Sequence, residues 1–230
     1  MKAAVAKVKP VNRMVGENGD REKPIKLVIR ELSVKTLDVS IRGISPLVIR
    51  AWDQKTAQQL ADKARGIKAP RSRENVDPEA VWNGARYISL DGWDGIPCGA
   101  FRAALIDAVS CVDVPKTEFS MTQAKKTIFV LPDGIDKLSG RDLVRIYGTP
   151  EKFAIMQPTS GGGPYMSYRP LYRQWSCKLR IQFNAARIDL QGVLNLTAIA
   201  GYFVGVGEHR PSAPESKTGT NGRWQIVSGK

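Results

Sequence analysis

Between Trp175 and Phe183 the sequence reads WSCKLRIQF, and its polarity changes at every residue. Trp175, Cys177, Leu179, Ile181 and Phe183 fall on one side; Ser176, Lys178, Arg180 and Gln182 fall on the other. A period of two separates these sets cleanly in a strand, whereas a helix mixes them. The segment is therefore a strand of an antiparallel sheet, with one covered apolar face and one solvated basic face. Such a strand needs partners at its edges and something to cover its apolar side.

The chain supplies both. Leu37, Val39 and Ile41 alternate with polar residues in the stretch 36–43. Residues 127–131, TIFVL, read as a buried strand closed by the turn Pro132-Asp133-Gly134, and 223–227, RWQIV, as a short closing strand. Phe101, Ala104, Leu105, Ala108 and Val109 share one face of a helix over 99–112. Asp189 caps a second helix over 190–203, apolar around most of its circumference. The order strand, helix, strand, strand, helix, strand predicts an α+β fold. It is ferredoxin-like (RRM-like), with an antiparallel sheet and two helices on one face. Two long insertions, at about 50–96 and 132–174, interrupt it. In the first, Asp53 caps a helix over 54–65 that leads into a polar loop. Residues 1–24 read as a flexible basic N-terminal arm and 25–230 as one domain.

Function classes narrow by elimination. The only histidine is His209, so no Ser–His–Asp triad, Cys–His pair or multi-histidine metal site is available. No phosphate-binding P-loop motif occurs, and GVGEHR follows a helix where a dinucleotide fingerprint follows a strand. Nothing calls for a cofactor, a metal or a catalytic residue. The enzymatic rival is a metal-dependent nuclease using Asp91 and Asp94, although such aspartates more often make turns. The cysteines Cys98, Cys111 and Cys177 lack metal-ligand spacing and point to a reducing compartment. No membrane span or secretory leader is visible, so the expected location is the cytoplasm of a bacterial host cell.

What remains is charge. Lys and Arg number 35 against 22 Asp and Glu, a net +13, and such an excess favours polyanions. The excess is not spread evenly. From Lys152 to Ile188 there is no acidic residue, and within that run Tyr165, Tyr168 and Tyr172 interleave with Arg169 and Arg173, followed by Lys178 and Arg180. Cations for phosphates and flat rings for bases are what a single-stranded nucleic acid requires. A second cluster, Lys63, Arg65, Lys68, Arg71 and Arg73, reads as phosphate-contacting. The alternative for the tyrosines is that they fold back onto the core.

Two stretches, IRGISPLVIRAW (41–52) and AGYFVGVGEHRPSAP (200–214) with GRWQIV (222–227), resemble small bacteriophage proteins. More distantly they resemble the RAMP superfamily, whose backbone subunits line CRISPR effector complexes. The resemblance implies an RRM-like core and subunits that polymerise along one RNA strand. It also implies a glycine loop, here Gly205 and Gly207, with His209 and Arg210 beside the strand or a neighbouring subunit. Glu208 in that loop opposes a phosphate. The expectation is a non-catalytic binder of single-stranded RNA or DNA, largely sequence-independent, that self-associates along the strand. A phage structural or assembly protein is the third reading.

Overall fold

The computed structural model describes residues 32–227, apart from 52–57, 59–60, 63, 68–76, 113–118, 159–163 and 215, and apart from the side chains of 157, 158, 164 and 165. The proposed arm 1–24 and the proposed cap Asp53 lie outside the described residues. From Leu32 onward the chain forms one compact unit.

Its centre is a four-stranded antiparallel sheet made of β1 (Val34–Gly43), β5 (Ile128–Leu131), β10 (Ser176–Asn184) and β11 (Trp224–Ile226), in the order β11-β1-β10-β5. Helix α2 (Cys98–Ala108) joins β1 to β5, and α4 (Leu190–Ile199) joins β10 to β11. Counted along this core alone, the strands lie 4-1-3-2. That is the ferredoxin-like βαββαβ arrangement the alternation implied.

Packing follows strand parity. Val39 and Ile41 from β1, with Cys177, Leu179, Ile181 and Phe183 from β10, are buried beneath the helices. They meet Phe101 and Leu105 of α2 and Val193 of α4 in one cluster. Trp224 of β11 packs edge-to-face on Phe101 at 5.6 Å, a geometry worth about 1 kcal/mol beyond the area it buries. Asp189 caps α4 by accepting from Gly192 N at 2.7 Å. The helix widens after Ile199 into a π-turn, Ala200–Val204, that leaves Tyr202 and Phe203 exposed. The sequence placed Phe129 in a buried strand. It is instead 42% exposed, because β5 is an edge strand whose odd positions face away from the helices.

The two insertions build further sheets. Just before the first comes β2 (Leu47–Val48), and the insertion itself holds α1 (Pro78–Gly84), β3 (Tyr87–Ile88) and β4 (Asp94–Pro97). α1 starts at Asp77, whose carboxylate accepts from Glu79 N, with Pro78 in the first turn. A short α3 (Met121–Thr127), begun by a Ser120–Gln123 capping box, leads into β5. The second insertion holds β6 (Gly134–Ile135), β7 (Asp142–Arg145), β8 (Glu151–Pro158) and β9 (Pro164–Tyr172). They assemble as β3-β4-β7-β6 and β2-β9-β8. The tyrosine-rich stretch of the second insertion is largely strand: β9 is central, with β2 on one side and β8 on the other.

Candidate nucleic-acid interface

Both helices cover one face of the core sheet, so the other face is defined by the opposite parity. On β1 it presents Thr36, Asp38, Ser40 and Arg42; on β10, Lys178, Arg180 and Gln182; on β5, Phe129. Register brings Arg42 opposite Ser176, Ser40 opposite Lys178, and Asp38 opposite Arg180. Arg180 lies 3.8 Å from Asp38 and 3.9 Å from Asp133, with its side chain half exposed. Exposed pairs at that length add little and leave the guanidinium free to exchange partners. Lys178 and Arg42 form no ion pair among the described residues.

This basic face continues onto the second insertion. Past β7 the chain forms a two-way bridge with β10: Tyr147 N donates to Ser176 O and Ser176 N to Tyr147 O, both at 2.9 Å. Bridged residues share a face, so Tyr147, 45% exposed, lies beside the Arg42–Lys178 row. The Arg145 guanidinium sits 5.1 Å from the Tyr147 ring and 5.8 Å from the Trp93 ring. Trp93 lies flat because two strands beneath it carry glycine: a Cβ on Gly134 would come within 2.6 Å of the indole, and one on Gly95 within 3.1 Å. The result is a platform of ring, guanidinium and ring that abuts a row of cations. Trp93, Arg145, Tyr147 and Arg42 were not among the residues expected from sequence. Only Arg42 had a signal, as the outward position of an alternating strand.

The residues that were expected separate sharply. Lys178 and Arg180 share the open face. Arg173 is exposed and donates from Nε to Glu151 at 2.8 Å. Tyr172 corrects the stacking reading: it is 1% exposed, packed beside Arg86 and Asp94. Burial, reinforced by the Asp94 charge, pushes its phenol well above the ordinary range, so its hydroxyl stays protonated. Arg169, next but two on the same strand, is 5% exposed, with Nε on Glu208 at 3.1 Å and Nη1 on the Tyr168 carbonyl. Tyr168 is half-buried opposite Ala154. Neither Tyr172 nor Arg169 reaches a ligand at the surface. Arg65 is exposed, while Lys63, Lys68, Arg71, Arg73 and the Tyr165 side chain lie outside the described residues.

The glycine loop is a clasp. Gly205 (φ 70°) and Gly207 (φ 80°) occupy the left-handed region, where side chains are strained, and a Cβ on Gly207 would fall into the Val48 carbonyl oxygen. Gly205 N donates to Ala200 O, Val206 N to Gly222 O and Glu208 N to Val48 O. Those amides are committed within the fold. Arg210 donates from Nη1 to the Gly207 carbonyl and from Nε to Ser212 Oγ; His209 is exposed at φ 57°. The loop thus ties α4, β2 and the chain end together through these amides.

The aspartates named for a nuclease are divided. Asp94 accepts from Arg86 Nε at 3.0 Å and Nη2 at 2.9 Å, a bidentate, half-buried pair, while Asp91 is exposed in the turn before Trp93. Among the described residues no group of three His, Cys, Asp or Glu could hold a metal ion. No described helix is long and apolar enough to cross a membrane.

No family model matches the sequence, and no curated protein matches it. Among solved structures the chain resembles the crystal structure of Cmr6 from Pyrococcus furiosus. The identity is 11% over 86% of this chain and 100% of that one, with a TM-score of 0.36. The strand order 4-1-3-2, rather than that likeness, defines the fold of this chain as ferredoxin-like.

Proposed function

We propose that this chain binds single-stranded nucleic acid, RNA or DNA, through its backbone phosphates, without cleaving it, and that copies assemble along the strand. The observation that carries the reading is the open sheet face, where Arg42, Lys178 and Arg180 adjoin the Trp93–Arg145–Tyr147 platform. Cations placed beside the exposed Tyr147 ring and the half-buried Trp93 suit a flexible polyanion whose bases are free to stack. The net charge of +13 supports the same reading. For assembly, the support is the edge strand β8, eight residues long, with Phe153 and Met156 exposed along it. An uncovered edge with apolar side chains is a surface that pairs with another chain.

The test is binding of fluorescent oligonucleotides across a salt series. Log K should fall linearly with log[salt], by about 0.7 for each phosphate neutralised, and single strands should bind better than duplex. Tyr147→Ala should weaken binding by about 1–3 kcal/mol, the worth of one stacked base. Affinity independent of salt, or equal affinity for duplex, refutes the proposal. Strand loss in magnesium or manganese would instead favour the nuclease reading. Growth in particle size only when a long strand is added tests the assembly step.

A further inference from the structure

At the N-terminal end of α2 lies a cleft of about 370 Å³ that none of the residues of the sheet face lines. Its floor is apolar, from Ile49, Tyr87 and Ile96, and its rim carries Arg50, Arg141 and Arg210. These arginines come from separate segments: the strand end after β2, the turn between β6 and β7, and the glycine clasp. Three cations from distant parts of a chain gather at one concavity only at an electrostatic cost. They are repaid when an anion occupies it.

The local charges can be counted. Glu208 also lines the cleft, but its carboxylate is held by the buried Arg169 and lies 3.8 Å from Arg50. Three arginines and one carboxylate line the cleft, a net of two positive charges. Asp136 acts on Tyr87 from outside the lining, keeping its negative charge while it accepts from Ile88 N, Ser139 N and Ser139 Oγ. The Tyr87 phenol beside Arg141 is raised mainly by burial, so it remains a neutral donor. The first turn of α2 opens on the same space: Pro97 stands at its cap position, no side chain caps it, and Gly99 and Ala100 line the cleft. A Cβ at Gly99 would meet nothing within 4 Å. Those first amides carry partial positive charge and face outward without a partner from a capping side chain. Cys98, which starts the helix, is no nucleophile there; burial, helped by Asp142 and Asp133, pushes its thiol up to about 12.

We infer that this cleft binds a phosphate monoester, held by Arg50, Arg141 and Arg210 against the first turn of α2. Resting on the proposed function, the monoester is the terminal phosphate of the bound strand. The chemistry favours an end over the middle of a strand. A monoester carries close to two negative charges and offers three oxygens to planar guanidinium forks, whereas an internal diester offers one charge and two free oxygens. The volume lies at the small end of the range for ligand pockets, about right for one terminal nucleotide on the apolar floor.

The experiment compares oligonucleotides of one sequence bearing a 5′-phosphate, a 3′-phosphate or only hydroxyl ends. They are titrated into the wild type, the double variant Arg50→Gln/Arg141→Gln, and Gly99→Glu. Arg50 and Arg141 are exposed, and an acid in the first helical turn is favourable to the helix, so both variants should keep the wild-type melting temperature. Arg210 is left intact because it braces the clasp. One of the phosphorylated strands should bind the wild type about tenfold tighter than the hydroxyl strand. That preference should vanish in both variants, with the hydroxyl strand changed less than about twofold. Equal binding of all three strands by the wild type, or a preference that survives in the variants, overturns the inference while leaving strand binding intact. Inorganic phosphate and a nucleoside monophosphate, titrated alone by calorimetry, separate the two proposals. If no strand binds but these small anions do, and the variants abolish it, the cleft stands as a phosphate site and the strand reading fails. If neither binds, both fail.

Discussion

Strands β9 and β10 are nine residues each and follow one another in the chain, and both carry cations among apolar residues. Read from composition, either one serves as a nucleic-acid contact. Their fates differ because of what lies on their two faces. β10 has helices on one side only, so every second residue, Lys178 and Arg180 included, is open. β9 runs between β2 and β8, and the glycine clasp closes over it through Arg169 and Glu208, while Tyr172 turns in to Arg86 and Asp94. A cation is a surface residue only where nothing else in the fold needs that surface.

The clasp is the cause of the difference, so breaking it is the harshest test. Gly207→Ala puts a methyl group against the Val48 carbonyl in a left-handed conformation. The expected loss is on the order of 4 kcal/mol, read by chemical denaturation, because strain and a backbone clash add. A loss below about 1 kcal/mol would mean the clasp is loose, and the burial of β9 would need another explanation. Arg169→Ala comes next, at about 3 kcal/mol, since it leaves Glu208 without its closest cation. Adding Glu208→Gln should recover part of that loss. If the double variant is as unstable as the sum of the singles, the pair is not coupled.

How much of this was legible beforehand depends on the range of the interactions involved. The core strands and helices were readable to within a few residues, because a period of two or of 3.6 is written in neighbouring side chains. Cys177 and Leu179 point inward for a reason visible within β10 itself. Nothing within β9 says that Tyr172 points inward, because the groups it meets, Arg86 and Asp94, come from the other insertion. The platform was hidden for the same reason. Trp93 and Tyr147 lie 54 residues apart (147 − 93), and they meet only once β4, β7 and β10 have paired. Phe129 shows the converse error: apolar neighbours suggested a core strand, and only the sheet order reveals it as an edge.

The remaining predictions separate the two strands at smaller cost to the fold. Tyr172→Phe removes a hydroxyl that meets Asp94 and Arg86, and it should cost about 1–2 kcal/mol of stability while leaving oligonucleotide affinity unchanged. A fall in affinity with stability intact would place Tyr172 at the ligand and contradict its burial. The smallest effect on the fold, and the most direct measure of the comparison, belongs to Arg42→Gln/Lys178→Gln. Both side chains are exposed and without an ion pair among the described residues, so stability should shift by less than about 0.5 kcal/mol. If each faces one phosphate, the salt slope of strand binding falls by about 0.7 for each, roughly 1.4 for the pair. The matching change just past β9, Arg173→Gln, removes a cation already engaged by Glu151. It should leave the slope nearly as it was. The slope is a better judge than affinity here, because a distorted surface weakens binding at every salt concentration, whereas a lost phosphate contact alters the steepness. An unchanged slope in the β10 pair, together with a reduced one in Arg173→Gln, would move the interface from the core sheet to the β2-β9-β8 sheet.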